Sequence, residues 1–342
     1  MKDIARDLGV SVVTVSKVLR NHSDISPGTR DRVLLRMKEM GYRPNLAARA
    51  LVTGKTHCIG LIVPDLVHPF FAEVAKALSR VLRIRRYGLL MSSSEEDPAL
   101  ERDEIDQLLA RRVDALIIAS TQWTVESFRR IEEQKTPYVL VDRCFSGLPA
   151  NFVGVDDELV GELAARHLID IGCQRIAHIR GTEVSTALGR LEGFRRTLSL
   201  NGLTLPPAHI VPSRSGDDAG DVSGYESMMQ LLDLKPLPDG VFCYNDPVAM
   251  GALKAVLDRG LRVPEDIAIV GCGNSHHSAF LRVPLTSIDQ ESAGIGERAA
   301  ELALSLVEAK SCPVRPKTVL LTPTVVARES TRRTPLRREI SV

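Results

Sequence analysis

From Cys58 onward, short apolar runs alternate with helical stretches, and this alternation limits the fold more than any other feature of the chain. Strand-like runs lie near 58–63, 87–92, 113–119, 137–142, 152–155, 175–180, 208–212, 240–244, 267–271 and 285–288. Helical stretches lie near 69–85, 98–111, 124–134, 157–171, 188–201, 221–233, 246–259 and 291–309. Such a pattern builds βαβ units with parallel sheets. Roughly 270 residues exceed one such sheet, so the body is expected to divide in two.

Charge separates the chain differently. The net charge of the 342 residues is +1, yet residues 1–56 hold 11 Lys/Arg against 5 Asp/Glu. Residues 57–327 hold 28 against 36, and residues 328–342 hold 5 against 2. A basic head on an acidic body has the sign that binds phosphate at one end only. No apolar run reaches the length of about 18 residues that a membrane span needs. The start, Met1-Lys2-Asp3-Ile4, lacks an apolar signal core, so a cytoplasmic protein is expected. Cysteines 58, 144, 173, 243, 272 and 312 form no C-x-x-C pair and read as reduced residues, mostly in the core.

The head reads as three short helices. Ile4, Ala5 and Leu8 share one helical face, and Gly9 suits a left-handed cap. Ser11 can cap a second helix through Leu19, with Val15, Val18 and Leu19 on its buried side. Ser26-Pro27 starts a third helix that ends at Gly41. Two helices joined by a tight Gly-containing turn make a helix-turn-helix. Val12, Val13, Ser16 and Lys17 fall on the exposed side of the second helix, near its N-terminus, where such a helix meets base edges.

These residues, together with Met40-Gly41-Tyr42, Pro44-Asn45 and Ala48-Arg49-Ala50-Leu51, resemble the start of LacI/GalR-family transcriptional regulators. The likeness continues through Ile59-Gly60-Leu61-Ile62-Val63-Pro64, Val141-Asp142-Arg143, Gly189-Arg190-Leu191, Asn245-Asp246 and Leu285-Thr286-Ser287-Ile288. The resemblance implies a helix-turn-helix head (1–44), a hinge helix and linker (45–56) and an α/β body (57–329) of two Rossmann-like, periplasmic-binding-protein-like lobes. The lobes are expected at about 57–155 plus 284–314 and about 156–283 plus 315–329, followed by a basic tail (330–342). It makes Val12, Val13 and Lys17 base-reading positions, with Lys17 where the family most often has Arg. Lys is a point charge without the bidentate fork that reads guanine. Ser11, Thr14 and Ser16 match phosphate-contacting positions. Asn45, Ala48 and Leu51 match the hinge, with Leu51 as the minor-groove wedge.

In the body, ligands of such folds sit at strand ends and between lobes. The candidates are Asp65, Asp142, Arg143, Asn245 and Asp246 at strand ends, and Arg190 in a loop leading into a helix. Phe70 and Phe71 match an aromatic cleft position. Carboxylates, Asn and Arg suit a polyol. Two departures stand out: Gly271-Cys272-Gly273-Asn274 lacks the usual Asp near 273, and Asp217-Asp218-Ala219-Gly220 lacks an aromatic. Asn274 is the remaining polar candidate there. Arg143, Arg190 and His276-His277 leave room for an anionic effector.

The expectation is a transcriptional repressor controlled by a small carbohydrate-type effector. It would act as a homodimer on a pseudo-palindromic DNA operator, with no cofactor, no metal and no membrane partner. A periplasmic-type receptor is disfavoured by the basic head. An enzyme is disfavoured because no G-x-G-x-x-G follows the first strand and no G-x-x-x-x-G-K-[ST] occurs. The tail shows no leucine heptads for a tetramerising coiled coil.

Overall fold

The computed structural model describes residues 1–19, 22–42, 50, 54–122, 124–145, 147–213, 220–309 and 315–333. Two compact units emerge, Met1–Thr56 and His57–Val342.

The first unit contains α1 (Lys2–Leu8), α2 (Val12–Leu19) and α3 (Pro27–Glu39). Gly9 closes α1 at φ 63°, a conformation that costs glycine nothing. Ser11 Oγ accepts from the Thr14 N–H at 3.0 Å and so caps α2. Ser26 does the same for α3, with Pro27 in the first turn. Ile4, Ala5, Val15, Val18, Val33 and Met37 form a small common core. Arg36 bonds Asp7 at 2.6 Å and ties α3 to α1.

The second unit runs β1 (Cys58–Val63), α4 (Pro69–Ile84), β2 (Gly88–Ser93), α5 (Pro98–Ala110), β3 (Ala115–Ile118), α6 (Glu126–Glu133), β4 (Tyr138–Val141) and β5 (Asn151–Val155). It continues with α7 (Asp157–Asp170), β6 (Ile176–Arg180), α8 (Ser185–Leu200), β7 (Ile210–Pro212), α9 (Gly220–Leu232), β8 (Gly240–Cys243), α10 (Asp246–Asp258) and β9 (Ala268–Cys272). Then come β10 (Thr286–Asp289), α11 (Ser292–Glu308), β11 (Thr318–Leu321) and β12 (Thr324–Val326). Two six-stranded sheets result, ordered β11-β5-β4-β3-β1-β2 and β12-β10-β9-β8-β6-β7. The paired strands are parallel except β10 with β12. Continuous β-branched and aliphatic runs such as Ile59–Val63 fit strands covered on both faces.

The lobe boundaries differ from expectation near the C-terminus. Residues 286–289 were expected in the first lobe, but β10 pairs with β9 in the second sheet. Residues 315–329 were expected in the second, but β11 pairs with β5 in the first. The chain therefore changes lobe after Asp289 and again after Leu321. β11 and β12 are three- or four-residue edge strands, too short to give a periodic signal. The segment from 330 is not simply a tail either. Ser330 is fully buried and its Oγ donates to the Ile269 carbonyl at 2.6 Å. Residues 334–342 lie outside the described residues.

α7 and α8 cross with almost no gap. A Cβ at Gly161 would stand 2.0 Å from the Arg190 carbonyl oxygen, and one at Gly193 would stand 1.9 Å from that of Glu158. This contact brings Asp157 of α7 within reach of Arg190 on α8. No helix among the described residues is long and apolar enough to cross a membrane.

Candidate functional site

Two surfaces emerge from this architecture, one in each unit. On α2, Val15 and Val18 are buried while Val12 and Val13 are 40% and 60% exposed. The Ser11 and Thr14 hydroxyls are bonded to each other at 2.9 Å at the start of the helix. Ser16 is half-buried on the same helix. Lys17 forms an ion pair with Asp24, in the turn before α3. The hinge candidates Asn45, Ala48 and Leu51 lie outside the described residues, as do 214–219.

The second surface is a cavity of about 270 Å³ between the two lobes of the body. Asp65, Phe70, Phe71, Asp142 and Arg143 reach it from the first lobe, and Arg190 and Asn245 from the second. Phe70 and Phe71 meet edge to face, with centroids 5.1 Å apart. The Asp65 carboxylate accepts from the Val67 N–H at 2.8 Å.

Two ion pairs made by buried arginines dominate the walls. Arg143 holds the Glu96 carboxylate with both terminal nitrogens, at 2.9 and 2.7 Å. Arg190 Nε donates to Asp157 at 2.9 Å, and its Nη1 donates to the Tyr244 carbonyl at 2.8 Å. The guanidinium also lies 4.8 Å from the centre of the Tyr244 ring. Burial lifts the Asp157 carboxyl to about 6 even with Arg190 beside it. Burial likewise raises Asp142, against the pull of Arg190 and Arg143. Arg190 was expected in a loop. It stands inside the helix α8 (Ser185–Leu200), on its buried side.

The acids are held at a backbone cost. Glu95, Glu96 and Asp142 have φ of 49°, 57° and 63°. Non-glycine residues in the left-handed region cost about 1–3 kcal/mol each and cluster at functional sites.

His68, ahead of α4, faces Asn245, ahead of α10, across the cleft, with Nε2 and Nδ2 3.1 Å apart. Asn245 Oδ1 accepts from the Val248 N–H at 3.0 Å, so Nδ2 is the donor toward His68. His68 Nε2 is therefore the unprotonated nitrogen, and the ring proton sits on Nδ1.

Two expected residues do not face the cavity. Asp246 is fully satisfied inside the second lobe by the Ser275 N–H and the Ser278 and Ser287 hydroxyls, at 2.7, 2.7 and 2.6 Å. Asn274 bridges Asp289 and Arg328, at 2.8 and 2.6 Å. Sequence reasoning missed His68, Glu96, Tyr244 and Gln290, which do line the cavity. Glu96 follows β2, so the strand-end rule that selected Asp142 could have found it.

Residues 1–45 match the model "Bacterial regulatory proteins, lacI family", and residues 165–331 match "Periplasmic binding protein-like domain". The HTH-type transcriptional repressor PurR of Haemophilus influenzae (strain PittEE) is 32% identical over 335 residues, covering 96% of this chain and 98% of the relative. The chain belongs to the lacI family of bacterial regulatory proteins. A second lacI-type relative, catabolite control protein A of Priestia megaterium, is 33% identical over 88% of this chain and 90% of its own. A solved lac repressor dimer bound to operator and the anti-inducer ONPF superposes with a TM-score of 0.85 at 27% identity, covering 96% and 98% of the two chains. The transcriptional regulator CelR in complex with cellobiose gives 0.73 at 28% identity, with the same coverage. As a lacI-family member this protein is a DNA-binding transcriptional regulator with a two-lobed α/β body, and its relatives are repressors rather than enzymes.

Proposed function

We propose that this protein is a homodimeric, cytoplasmic repressor whose operator affinity is set by a small carbohydrate-type effector bound between its lobes. The carrying observation is the cavity itself, lined by polar groups from both lobes. A ligand touching both sides stabilises the closed arrangement in proportion to its preference for it. Similar chains have been solved with ligands named as ONPF and cellobiose, and one of them as a dimer on operator.

In this reading two copies of α2 enter successive major grooves of a pseudo-palindromic site. Val12 and Val13 meet thymine methyls, Lys17 meets a base edge, and Ser11, Thr14 and Ser16 position the helix on phosphates. Asn45, Ala48 and Leu51 serve as hinge contacts in the minor groove. Asp65, Phe70, Phe71, Asp142, Arg143, Arg190 and Asn245 hold the effector.

The test is selection of operator sequences from random DNA with the full-length protein, followed by gel shifts with mono- and disaccharides. The expected result is a motif with dyad symmetry whose complex one sugar strengthens or releases. A motif without symmetry overturns the dimer. An operator complex that no carbohydrate perturbs overturns the effector class.

A further inference from the structure

We propose that the interlobe cavity accepts an uncharged, hydroxyl-rich ligand and rejects sugar acids and sugar phosphates. This rests on reading the cavity as the effector site, and narrows it.

The charge balance carries the first half of the argument. Among the described residues lining the cavity, Arg143 and Arg190 are the full positive charges, against Asp65, Glu95, Glu96 and Asp142. Both guanidiniums already hold a carboxylate of the protein. Glu96 bonds both terminal nitrogens of Arg143, and Asp157 and the Tyr244 carbonyl bond Nε and Nη1 of Arg190. An arriving phosphate or carboxylate would have to displace one of these carboxylates and then sit among the remaining ones. The room for an anionic effector that Arg143 and Arg190 suggest in sequence is thus taken by the protein's own acids.

Unpartnered polar atoms carry the second half. His68 Nδ1, Arg143 Nε and Gln290 Nε2 are shielded from solvent and have no hydrogen-bond partner, and all three belong to residues lining the cavity. Arg143 and Gln290 are 6% and 3% exposed. With the ring proton on Nδ1, all three atoms are N–H donors. Buried donors left unmade are costly, so they mark where acceptor atoms of a ligand belong. Beside them stands an acceptor, because the Asp142 carboxylate is 3.8 Å from Arg143 Nε, beyond hydrogen-bond reach. A group set among these atoms must accept from N–H and donate to a carboxylate. A hydroxyl does both. An oxyanion only accepts, and an ammonium only donates. The volume of about 270 Å³ is just below the range of about 300–1,000 Å³ of drug-sized sites and suits a ligand of sugar size.

The experiment uses the full-length protein, thermal unfolding and calorimetric titration. Hexoses and pentoses are each compared with their 6- or 5-phosphate, their aldonic acid and, where available, their amino sugar. An uncharged member should raise the melting temperature and bind at least tenfold more tightly than its charged counterparts. A phosphorylated or acidic member that binds more tightly than its uncharged parent overturns the proposal.

Inorganic phosphate gives a ligand-independent reading. Wild type should show no cavity binding, and Glu96→Gln should gain it by releasing Arg143. Glu95→Gln removes an acid without releasing an arginine and should gain nothing, and comparing the two variants cancels phosphate bound by the DNA-reading unit. Equal phosphate binding by both variants overturns the proposal. If no sugar of any charge binds while Glu96→Gln alone gains phosphate, the carbohydrate-effector reading fails and the charge reading stands. Should Glu96→Gln not fold, the matched sugars and the wild-type phosphate titration still decide.

Discussion

Among the described residues, Met1–Thr56 buries no polar or charged side chain, whereas His57–Val342 buries several. Val13 and Leu35 are 60% and 59% exposed on a unit whose core holds six buried side chains. Arg190 and Arg143 are 3% and 6% exposed, inside a body rich in buried aliphatics. In the proposed reading, exposed Val on α2 keeps methyl groups available for base methyls, at little cost to the fold. Burying a guanidinium is costly, and is sustained only by partners that reach it from elsewhere in the fold. In that reading the two regions prepare for ligands in opposite ways, one by leaving groups in water and the other by withdrawing them from it.

The contrast is broken most directly at Arg190. Arg190→Ala leaves the Asp157 carboxylate buried without its cation, and losing one partner of such a pair costs about 3–5 kcal/mol. Urea unfolding of the body should show that loss, with Asp157→Asn in the same background restoring part of it. A loss under about 1 kcal/mol would mean the pair behaves like a surface one. At the exposed end of the comparison, Lys17→Ala should cost about 1–3 kcal/mol of operator affinity and relax the preference at one half-site position. Repeated operator selection with the variant checks this, and an unchanged motif counts against Lys17 as a reader.

This difference also governs what was legible in the chain. The head works through side chains close together in sequence, so Ser11 to Lys17 could be sorted into buried and exposed faces by helical spacing alone. The strand-end rule found Asp65, Asp142, Arg143 and Asn245, because a parallel sheet gathers its strand ends at one edge. The rule failed at Asp246, whose carboxylate is taken by Ser275, Ser278 and Ser287, which no local pattern links to it. It failed at His68 for the same reason, since the partner Asn245 lies 177 positions away. The lobe change after Asp289 was hidden because β10, α11 and β11 follow one another without a composition shift, though they serve different sheets.

A smaller effect separates the units by their caps. Ser26→Ala removes the acceptor for the Thr29 N–H and should cost the head about 1 kcal/mol. In a unit with so small a core that loss should lower its own unfolding transition visibly and leave the body's transition in place. A body transition that shifts equally would show that the two units do not unfold independently.

A pH-dependent effect concerns His68, whose surroundings are Asp65, Arg143, Glu96 and Arg190. Burial holds its ring proton affinity down at about 4, against about 6.5 in an unfolded chain. Between those values the unfolded chain binds a proton that the folded body refuses, so stability rises with pH through this window and falls on acidification from 7 toward 4. His178, buried beside Phe242 and also held near 4, acts with the same sign. Asp157 opposes them. Its folded value of about 6 lies above the ordinary 3.8, so the folded body binds that proton first and regains stability as pH falls below 6. Lowered His167 acts with the histidines, and raised Asp142 and Asp246 act with Asp157, so the share of His68 is read as a difference between wild type and a variant from pH 7 to pH 5. His68→Gln keeps a polar side chain and removes the titration, so on acidification its melting temperature should drop less, or rise more, than that of wild type. An identical change in wild type and variant would mean that His68 takes up its proton as freely in the folded body as in the unfolded chain.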